Sequence, residues 1–331
     1  MTSASGALAH LRVWAVAAAF VAAAPVVPAQ AQDYPSRPIR ILVPYAPGGI
    51  ADIAGRLVGA KLTDAWGQQV VVENRPGGSG FIAMTDTARS KADGYTLVMA
   101  TGGDVSINPV LFKKVPYDME RDLAPIAAVS NAPLVLAANA DSPYKTVADV
   151  IAAAKAKPGQ INVATPGYGS NNHIVLEWIS LNTGARFVHV PYKGGAPAAQ
   201  ALMAGDIPLG ILATSSVAPG VQSGRIRVLA VTMAKRSPLD PQWPTLQEQG
   251  VTDVDASNWT ALLAPRAVPQ PIIDKLNAEV VKILDMPDVK ERFAAGGVTT
   301  IPSTTAELDA RIKRELVRFR EIIQKADIHV D

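Results

Sequence analysis

The chain has 331 residues, with 31 lysines and arginines against 29 aspartates and glutamates, and it contains no cysteine. A charge balance so close to neutral argues against a nucleic-acid-binding surface, and the lack of cysteine excludes disulfides, a thiolate nucleophile and a cysteine-based metal site. The length is sufficient for two lobes with separate cores.

Residues 1–31 have the features of a secretory signal peptide. His10 and Arg12 form a weakly basic start, residues 13–27 are apolar and rich in alanine, and Ala29-Gln30-Ala31 supplies a small-x-small cleavage pattern. We therefore predict export, with cleavage after Ala31. The alternative is an uncleaved anchor, although the apolar run is short for a membrane span.

The segment that follows predicts an alternation of strands and helices. Short apolar, β-rich runs cover 39–43, 70–73 and 95–100, and apolar residues recur at helical spacing over 50–65 and 81–90. The order β-α-β-α-β implies a parallel sheet with right-handed crossovers.

The remainder of the chain repeats this alternation after an irregular stretch at 108–125. In order, we expect strands at 126–129 and 134–138, a helix at 146–157, a strand at 161–164, a helix at 174–181, a strand at 187–191, a helix at 196–203, strands at 208–213 and 228–232, an apolar return at 254–264, and helices at 272–284 and 305–326. The fold class is therefore α/β with two lobes, and the chain crosses between them near 131–133 and 254–264.

Two glycine-rich loops, each between a strand and a helix, carry the functional prediction. The first covers 44–49 and the second covers 165–173. The first N–H groups of a helix lack partners and the helix dipole favours an anion there, so each loop could present donors to a negatively charged ligand. We predict that the pair forms a carboxylate clamp. The alternative is two ordinary turns between strand and helix.

Several side chains near these loops have two readings. Asp52 could orient waters in the site or simply stabilise the helix dipole. His173 could face a ligand or form a hydrogen bond within its own loop. Tyr45, Tyr168 and Trp259 could stack on a ligand or belong to the core. Ser170 or Asn171 suits the N-cap of the helix that follows.

Patterns for other functions are incomplete. Residues 78–83 match a loose G-x-G-x-x-A dinucleotide pattern, but Thr101 and Gly102 stand where the acidic residue is needed. The sequence has no G-x-S-x-G elbow and no phosphate-binding P-loop. His173, His189 and His329 are far apart in sequence, so we expect no metal and no cofactor.

A set of motifs spread over the whole mature chain resembles one family. They are Tyr34-Pro35-Ser36-Arg37-Pro38, Pro44-Tyr45-Ala46-Pro47-Gly48-Gly49, Val72-Glu73-Asn74-Arg75-Pro76-Gly77, Asp93-Gly94-Tyr95-Thr96-Leu97, Ile107-Asn108-Pro109, Pro116-Tyr117-Asp118, His189-Val190-Pro191-Tyr192-Lys193-Gly194 and Leu229-Ala230-Val231-Thr232. The chain resembles the tripartite tricarboxylate transporter solute receptors, also called Bug-type receptors.

The resemblance implies a periplasmic binding protein of the two-lobed Venus-flytrap type, with a signal peptide at 1–31, lobe 1 at 32–130 plus 258–331, and lobe 2 at 131–257. It implies a monomer that is not an enzyme, holds a small carboxylate between its lobes and passes it to membrane permease subunits. The expected ligand-binding residues are Tyr45, Ala46, Gly48, Gly49, Asp52, Gly78, Thr101, Thr165, Gly167, Tyr168, Gly169, Ser170, His173 and Trp259.

The sequence departs from the family pattern at positions that bear on the ligand. Pro208 and Leu212 stand where many members have aspartate, and Gly103 and Asp104 replace small or hydroxyl residues. Fewer carboxylates disfavour a ligand with an amino group, so we expect a dicarboxylate or an aromatic carboxylate without one. The alternatives are a receptor that serves a sensor kinase and, from another class, an exported hydrolase or oxidoreductase.

Overall fold

The computed structural model describes residues 34–330, and its compact unit spans Arg37–Asp331. The predicted signal peptide and its cleavage site lie outside the described residues. No helix in the described range is both long enough and apolar enough to cross a membrane.

Strands and helices alternate through most of the described chain. The strands are β1 (Ile39–Val43), β2 (Val70–Asn74), β3 (Thr96–Thr101), β4 (Leu123–Asn139), β5 (Asn162–Thr165), β6 (Val188–Pro191), β7 (Leu209–Ala213), β8 (Ile226–Val231), β9 (Ser257–Pro265) and β10 (Thr299–Thr300). The α-helices are α1 (Ile50–Trp66), α2 (Phe81–Ala88), α3 (Asn108–Leu111), α4 (Met119–Asp122), α5 (Val147–Ala156), α6 (Asn171–Thr183), α7 (Gly195–Ala204), α8 (Thr214–Gln222), α9 (Gln270–Asp285), α10 (Pro287–Ala294) and α11 (Thr305–Lys325). A π-helical turn covers Gly103–Ile107.

The strands form one mixed sheet in the order β2-β1-β3-β9-β4-β7-β5-β6, with β8 and β10 also paired to β4. The predicted parallel pairings are confirmed: β1 is parallel to β2 and β3, and β5 is parallel to β6 and β7. We call β1, β2, β3, β9, β10 and the start of β4 the first half-sheet, and the end of β4 with β5 to β8 the second half-sheet.

Strand β4 joins the two half-sheets, and here the sequence prediction was wrong. We expected two strands separated at Asn131-Ala132-Pro133, but β4 is continuous. It pairs with β9 up to Pro133 and with β7 from Leu134 onward. Pro133 therefore lies where the pairing partner changes, a place at which a strand tolerates a residue without an N–H group.

The C-terminal helix α11 packs against both half-sheets with the apolar stripe predicted from its sequence. Leu308 and Ile312 are buried in a cluster with the first half-sheet. Phe319 and Ile323 are buried in a second cluster, with core residues of the second half-sheet. The helix is thus a third connection between the halves, besides β4 and β9.

Three helical regions escaped the sequence prediction. The stretch 108–125 was expected to be irregular, yet it contains α3 and α4, and Asp118 caps α4 by accepting hydrogen bonds from the backbone N–H groups of Glu120 and Arg121. Helix α8 contains Pro219 and small polar residues, which are poor helix signals. Helix α10 is short and follows α9 closely, so tertiary packing rather than local propensity defines these elements.

Candidate functional site

A cavity of about 500 Å³ lies between the two half-sheets, next to both predicted loops. Its lining residues come from both halves and from the C-terminal end: Tyr45, Ile50, Ser79, Thr101, Gly102, Gly103, Ile107, Asn108, Leu111, Phe112, Pro166, Tyr168, Gly169, Ser170, Asn171, Asn172, Ser257, Asn258, Trp259 and Val330. None of these side chains is an acid, a lysine, an arginine or a histidine. A charged ligand in this cavity would have to be held by neutral donors and acceptors.

The first loop reaches the cavity only at its two ends. Tyr45 and Ile50 line it, whereas Ala46, Gly48 and Gly49 between them are exposed. The conformation needs Gly48, because its φ is +90°.

Asp52 supports the first loop from beneath and does not line the cavity. Its Oδ2 accepts the N–H of Gly48 at 3.0 Å, and its Oδ1 accepts Asn74 Nδ2 at 2.9 Å and lies 2.9 Å from the Arg56 guanidinium. Burial opposes ionisation, but the hydrogen bonds from Arg56, Gly48 and Asn74 hold the pKa of Asp52 below its usual value. The Asn74 amide also donates to the Tyr45 carbonyl at 3.0 Å. The carboxylate therefore fixes the loop and consumes one of the donors that we expected to face a ligand.

The second loop is held in the same manner by Ser170 and His173. The Ser170 side chain caps α6 by accepting the N–H of His173, as predicted, and also donates to the Gly167 carbonyl at 2.7 Å. The Gly169 N–H donates to His173 Nδ1 at 3.1 Å. That nitrogen must therefore be unprotonated, and His173 takes the structural role that we considered rather than a place on the cavity wall.

His173 stacks on a second histidine behind the loop. The ring centroids of His173 and His189 are 3.8 Å apart, and Tyr168 lies 4.7 Å from His173 on the cavity side. His189 Nε2 is 2.6 Å from Thr165 Oγ1, which is fully buried. Burial, and then the neighbouring imidazole, lowers the pKa of His173 to about 4, and burial lowers the pKa of His189 to about 4. Both rings are neutral at physiological pH and support the loop.

The donors left for a ligand are at the helix starts. Asn171 and Asn172 form the first turn of α6 and line the cavity, and their backbone N–H groups have no acceptor among the described residues. Ile50 opens α1 in the same way across the cavity. The Asn171 side chain donates to the Ser257 carbonyl and to Asn258 Oδ1, which ties the α6 start to β9.

Gly169 is where the second loop contacts the other half of the molecule. Its φ is +71°, and a Cβ atom built there would lie 3.0 Å from Leu111 Cδ2 and 3.2 Å from Val330 Cγ2. Val330 reaches this place because it forms a parallel bridge with Phe112. The loop therefore closes against α3 and the C-terminal end with no space for a side chain.

A buried carboxylate lies under the first-half wall of the cavity. Asp104, in the π-helical turn, has no exposed surface. Its Oδ1 accepts the Tyr45 hydroxyl at 2.8 Å, and its Oδ2 accepts both the N–H and the hydroxyl of Thr101 at 2.7 Å. Burial raises the pKa of Asp104 to about 6, although these hydrogen bonds oppose the rise.

Trp259 forms a fixed wall rather than a mobile stacking partner. It is 2% exposed, its Nε1 donates to Glu315 Oε2 at 3.1 Å, and the Arg311 guanidinium lies 4.3 Å from its ring. A Cβ atom at Gly102 would be 2.5 Å from Trp259 Nε1, so this glycine allows the indole to approach the cavity.

A second cavity, of about 510 Å³, lies along α11 and is lined by Arg311, Arg314, Glu315 and Arg318 among others. Arg311 is paired with Glu315 at 2.9 Å, and Arg318 lies over the ring of Trp178. No glycine loop borders it, and the helix that begins at its lining residue Gln247 is a single 3₁₀ turn (Gln247–Gln249), so the cavity between the half-sheets is the better candidate.

Of the residues predicted from the sequence, six line the cavity between the half-sheets: Tyr45, Thr101, Tyr168, Gly169, Ser170 and Trp259. The other eight do not line it: Ala46, Gly48, Gly49, Asp52, Gly78, Thr165, Gly167 and His173. Gly78 instead borders a neighbouring cavity beside Phe81. In the described part of the chain, no group of three His, Cys, Asp or Glu residues is placed to hold a metal ion.

Several lining residues outside the predicted contacts are apolar. Leu111, Phe112 and Val330 come from a stretch expected to be irregular and from the end of the chain. Asn171 and Asn172 lie at the end of the second predicted loop, and the structure makes them the first turn of α6. No sequence signal pairs Val330 with Phe112, because that contact depends on the tertiary path of α11.

Residues 54–328 match the family described as the tripartite tricarboxylate transporter family receptor, TctC. The chain belongs to this receptor family. The receptor is 35% identical to Protein BugT of Bordetella pertussis over 316 residues, which is 95% of this chain and 97% of that protein.

Solved structures agree with this assignment. An R. palustris protein with adipate is 31% identical, with a TM-score of 0.77 over 90% of this chain and 99% of that one. MatC from Rhodopseudomonas palustris with bound malate is 29% identical, with a TM-score of 0.73 over 88% of this chain and 100% of that one. Periplasmic binding proteins are among the matching structures. The receptor thus has the predicted α/β periplasmic binding-protein fold and is a solute-binding receptor rather than an enzyme.

Proposed function

We propose that this receptor captures a small carboxylate in the cavity between its half-sheets and delivers it to the membrane permease subunits of a tripartite tricarboxylate-type transporter. The observation that carries the proposal is the start of α6, where Asn171 and Asn172 line the cavity and their backbone N–H groups have no acceptor among the described residues. Hydrogen bonds of this kind to an anion contribute about 1.5–3 kcal/mol each, so a carboxylate needs no arginine there.

The carboxylate that fits best is a dicarboxylate or an aromatic carboxylate without an amino group. An ammonium group that leaves water requires a paired anion, and no acid lines the cavity. Apolar side chains such as Ile107, Leu111 and Phe112 suit a hydrocarbon chain or ring between the polar ends. The adipate-bound and malate-bound relatives support a dicarboxylate.

Closure would occur between two lobes, 32–130 plus 258–331 and 131–257, with β4 and β9 as the crossings. Ligand contacts to both lobes would select the closed state. Helix α11 packs against both half-sheets, so during closure it would move with one half-sheet and slide on the other. We expect this contact to keep the hinge angle small. We propose a monomer, since the receptor must present its closed form to a permease.

We propose that residues 1–31 are a signal peptide, which directs export of the receptor and is removed after Ala31. Amino-terminal sequencing of protein recovered from the periplasm should begin at Gln32. Recovery of the intact amino terminus in the membrane fraction would instead support an uncleaved anchor.

The decisive test removes one backbone donor at the start of α6. Asn171 is the first helical residue, and Ser170 before it has φ −67° and ψ 158°, so proline fits both the helix and the residue that precedes it. Asn171→Pro deletes the N–H and the side-chain bonds, whereas Asn171→Ala deletes only the side-chain bonds. We expect Asn171→Pro to bind carboxylates about ten- to a hundredfold more weakly than Asn171→Ala, as the loss of one charge-assisted hydrogen bond predicts.

Isothermal titration against a panel of dicarboxylates, aromatic carboxylates and amino acids would measure this difference. Thr305→Pro is the matched control, because Thr305 also opens a helix behind a capping residue with φ −68° and ψ 162°. It should fold and bind as the unaltered protein does. Equal affinity of the two Asn171 variants would contradict the anion site, and selective binding of glutamate would contradict the ligand class.

A further inference from the structure

The part of the cavity wall above Asp104 differs chemically from the start of α6. Tyr45 and Thr101 both line the cavity, and their oxygens are 3.5 Å apart. Each hydroxyl has one hydrogen, and each hydrogen bond runs inward to the Asp104 carboxylate, at 2.8 Å from Tyr45 and 2.7 Å from Thr101. The two oxygens can therefore offer only lone pairs to a ligand.

The surroundings of the Asp104 carboxylate fix its position, so that both hydroxyls continue to donate to it. A Cβ atom at Gly80 would lie 2.2 Å from Asp104 Oδ1, and Gly80 has a φ of +92°, so the side chain fits only against a glycine. The Tyr117 hydroxyl donates to the Asp104 backbone carbonyl, and the Asp104 N–H donates to Thr101 Oγ1 at 3.4 Å. Burial, and then the charge of Asp104, raises the pKa of Tyr45 well above 10, so that its hydroxyl remains a donor to the acid.

Two kinds of ligand group match these oxygens less well than a hydroxyl group does. A carboxylate placed here would face lone pairs and the buried charge together, which is repulsive at short range, so the second carboxylate of a dicarboxylate would have to lie elsewhere in the cavity. An ammonium group would be attracted, but it brings three hydrogens and finds no acid on the cavity surface. A hydroxyl group has one hydrogen to donate and is neutral, so it matches two adjacent acceptors.

We propose that Tyr45, Thr101 and Asp104 form a subsite that accepts a hydrogen bond from a hydroxyl group, so that the receptor selects hydroxylated carboxylates over their deoxy analogues. Tyr45 and Thr101 touch the ligand, and Asp104 is the positioning residue that orients them. The inference rests on the proposed function, since the ligand's carboxylate must occupy the start of α6 for its hydroxyl to reach the other wall.

The test compares matched pairs of acids by isothermal titration at pH 8, where Asp104 is ionised. The pairs are succinate with malate, glutarate with 2-hydroxyglutarate, adipate with 3-hydroxyadipate, and benzoate with 4-hydroxybenzoate. The unaltered protein should bind the hydroxylated member of its best pair at least about tenfold more tightly. Aspartate and glutamate complete the panel as ammonium analogues.

Variants separate the subsite from general effects on folding. In Asp104→Asn, an amide N–H group faces one of the two hydroxyls, which must then turn its hydrogen toward the cavity. The preference for the hydroxylated acid over its deoxy analogue should therefore fall to within about twofold. Tyr45→Phe should also reduce this preference. Tyr117→Phe is the matched control, because Tyr117 bonds the backbone carbonyl of Asp104 and not its carboxylate, and does not line the cavity. It should keep the preference of the unaltered protein.

The outcomes are distinguishable. Equal or tighter binding of the deoxy acids by the unaltered protein would overturn the hydroxyl subsite and leave the carboxylate receptor intact, and this comparison needs no variant to fold. Tightest binding of an amino acid would show that the subsite takes an ammonium group. Binding of no acid in any pair would overturn the proposed function and this inference with it.

Discussion

Gly169 offers a direct test of the contact between the second loop and the first half of the molecule. Its φ of +71° disfavours any residue with a Cβ atom, and a Cβ atom there would crowd Leu111 and Val330 at 3.0 and 3.2 Å. Gly169→Ala therefore adds two separate costs. The backbone strain is present whether or not a ligand is bound, whereas we expect the crowding to matter most in the closed receptor, where the loop packs against α3 and the C-terminal end.

The two costs should appear in different measurements. Alanine in a left-handed conformation costs about 1–2 kcal/mol, which should lower the free energy of unfolding by that amount. The contact at 3.0 Å requires neighbours to shift by a few tenths of an ångström, and overpacking of this kind costs about 1 kcal/mol or more. Because the second cost opposes closure, the dissociation constant of the ligand should rise about five- to tenfold.

Gly184 provides the matched control at the opposite end of α6. Its φ is +70°, and a Cβ atom there would meet nothing within 4 Å. Urea unfolding should show similar destabilisation for Gly169→Ala and Gly184→Ala, while isothermal titration should show weakened binding for Gly169→Ala only. Unchanged affinity in Gly169→Ala would refute closure of this loop onto α3, and equal losses of affinity in both variants would show that strain alone is responsible.

Two further predictions follow from the caps and the buried titratable groups. Ser170→Ala should lower the free energy of unfolding by about 1 kcal/mol and also weaken ligand binding, whereas Thr304→Ala, which removes the cap of α11, should cost a similar amount without affecting titrations. Stability should fall as the pH is lowered from about 6.5 to about 4, because the folded His173 and His189 resist protonation that the unfolded chain accepts. Asp104, whose pKa is raised to about 6, acts in the opposite direction over the same range, so the net loss of stability should be smaller than the two histidines alone would give. Urea titrations at pH 7 and pH 4.5 measure it, and higher stability at pH 4.5 would contradict the assignment of both histidines as neutral.

The sequence predicted the elements that have strong local signals. The alternation of apolar runs with turn residues located β1 to β3 and α1 within a few residues. The cap candidates Ser170 and Asn171 lie at the start of α6, although the predicted helix began only near Ile174. Both glycine loops lie beside the cavity as expected. These features follow from backbone chemistry, in which glycine, proline and small polar residues act over a few neighbouring positions.

The sequence could not show which donors were already occupied. The N–H of Gly48 bonds to Asp52 and that of Gly169 bonds to His173, so the loops present fewer free donors than their glycine content suggests. The loop that ends at Asp104 was a candidate pocket wall and Asp104 a departure from the family pattern, but its contact with Tyr45, 59 positions earlier, could not be foreseen. Contacts over such separations are decided by the sheet topology and not by local pattern.

The two ends of the cavity together limit how a ligand can lie. The start of α6 supplies hydrogen-bond donors on the second half-sheet, and Tyr45 with Thr101 supplies acceptors on the first. A solute that satisfied both ends would have to carry an anionic group and a donor group at opposite positions, with an apolar portion against Ile107 and Leu111. A molecule with only one of these groups would leave buried polar atoms unpaired on one wall, at a cost of about 1–3 kcal/mol. In the closure that we propose, both walls would reach the ligand at once, so the same contacts that select the solute would also stabilise the closed receptor.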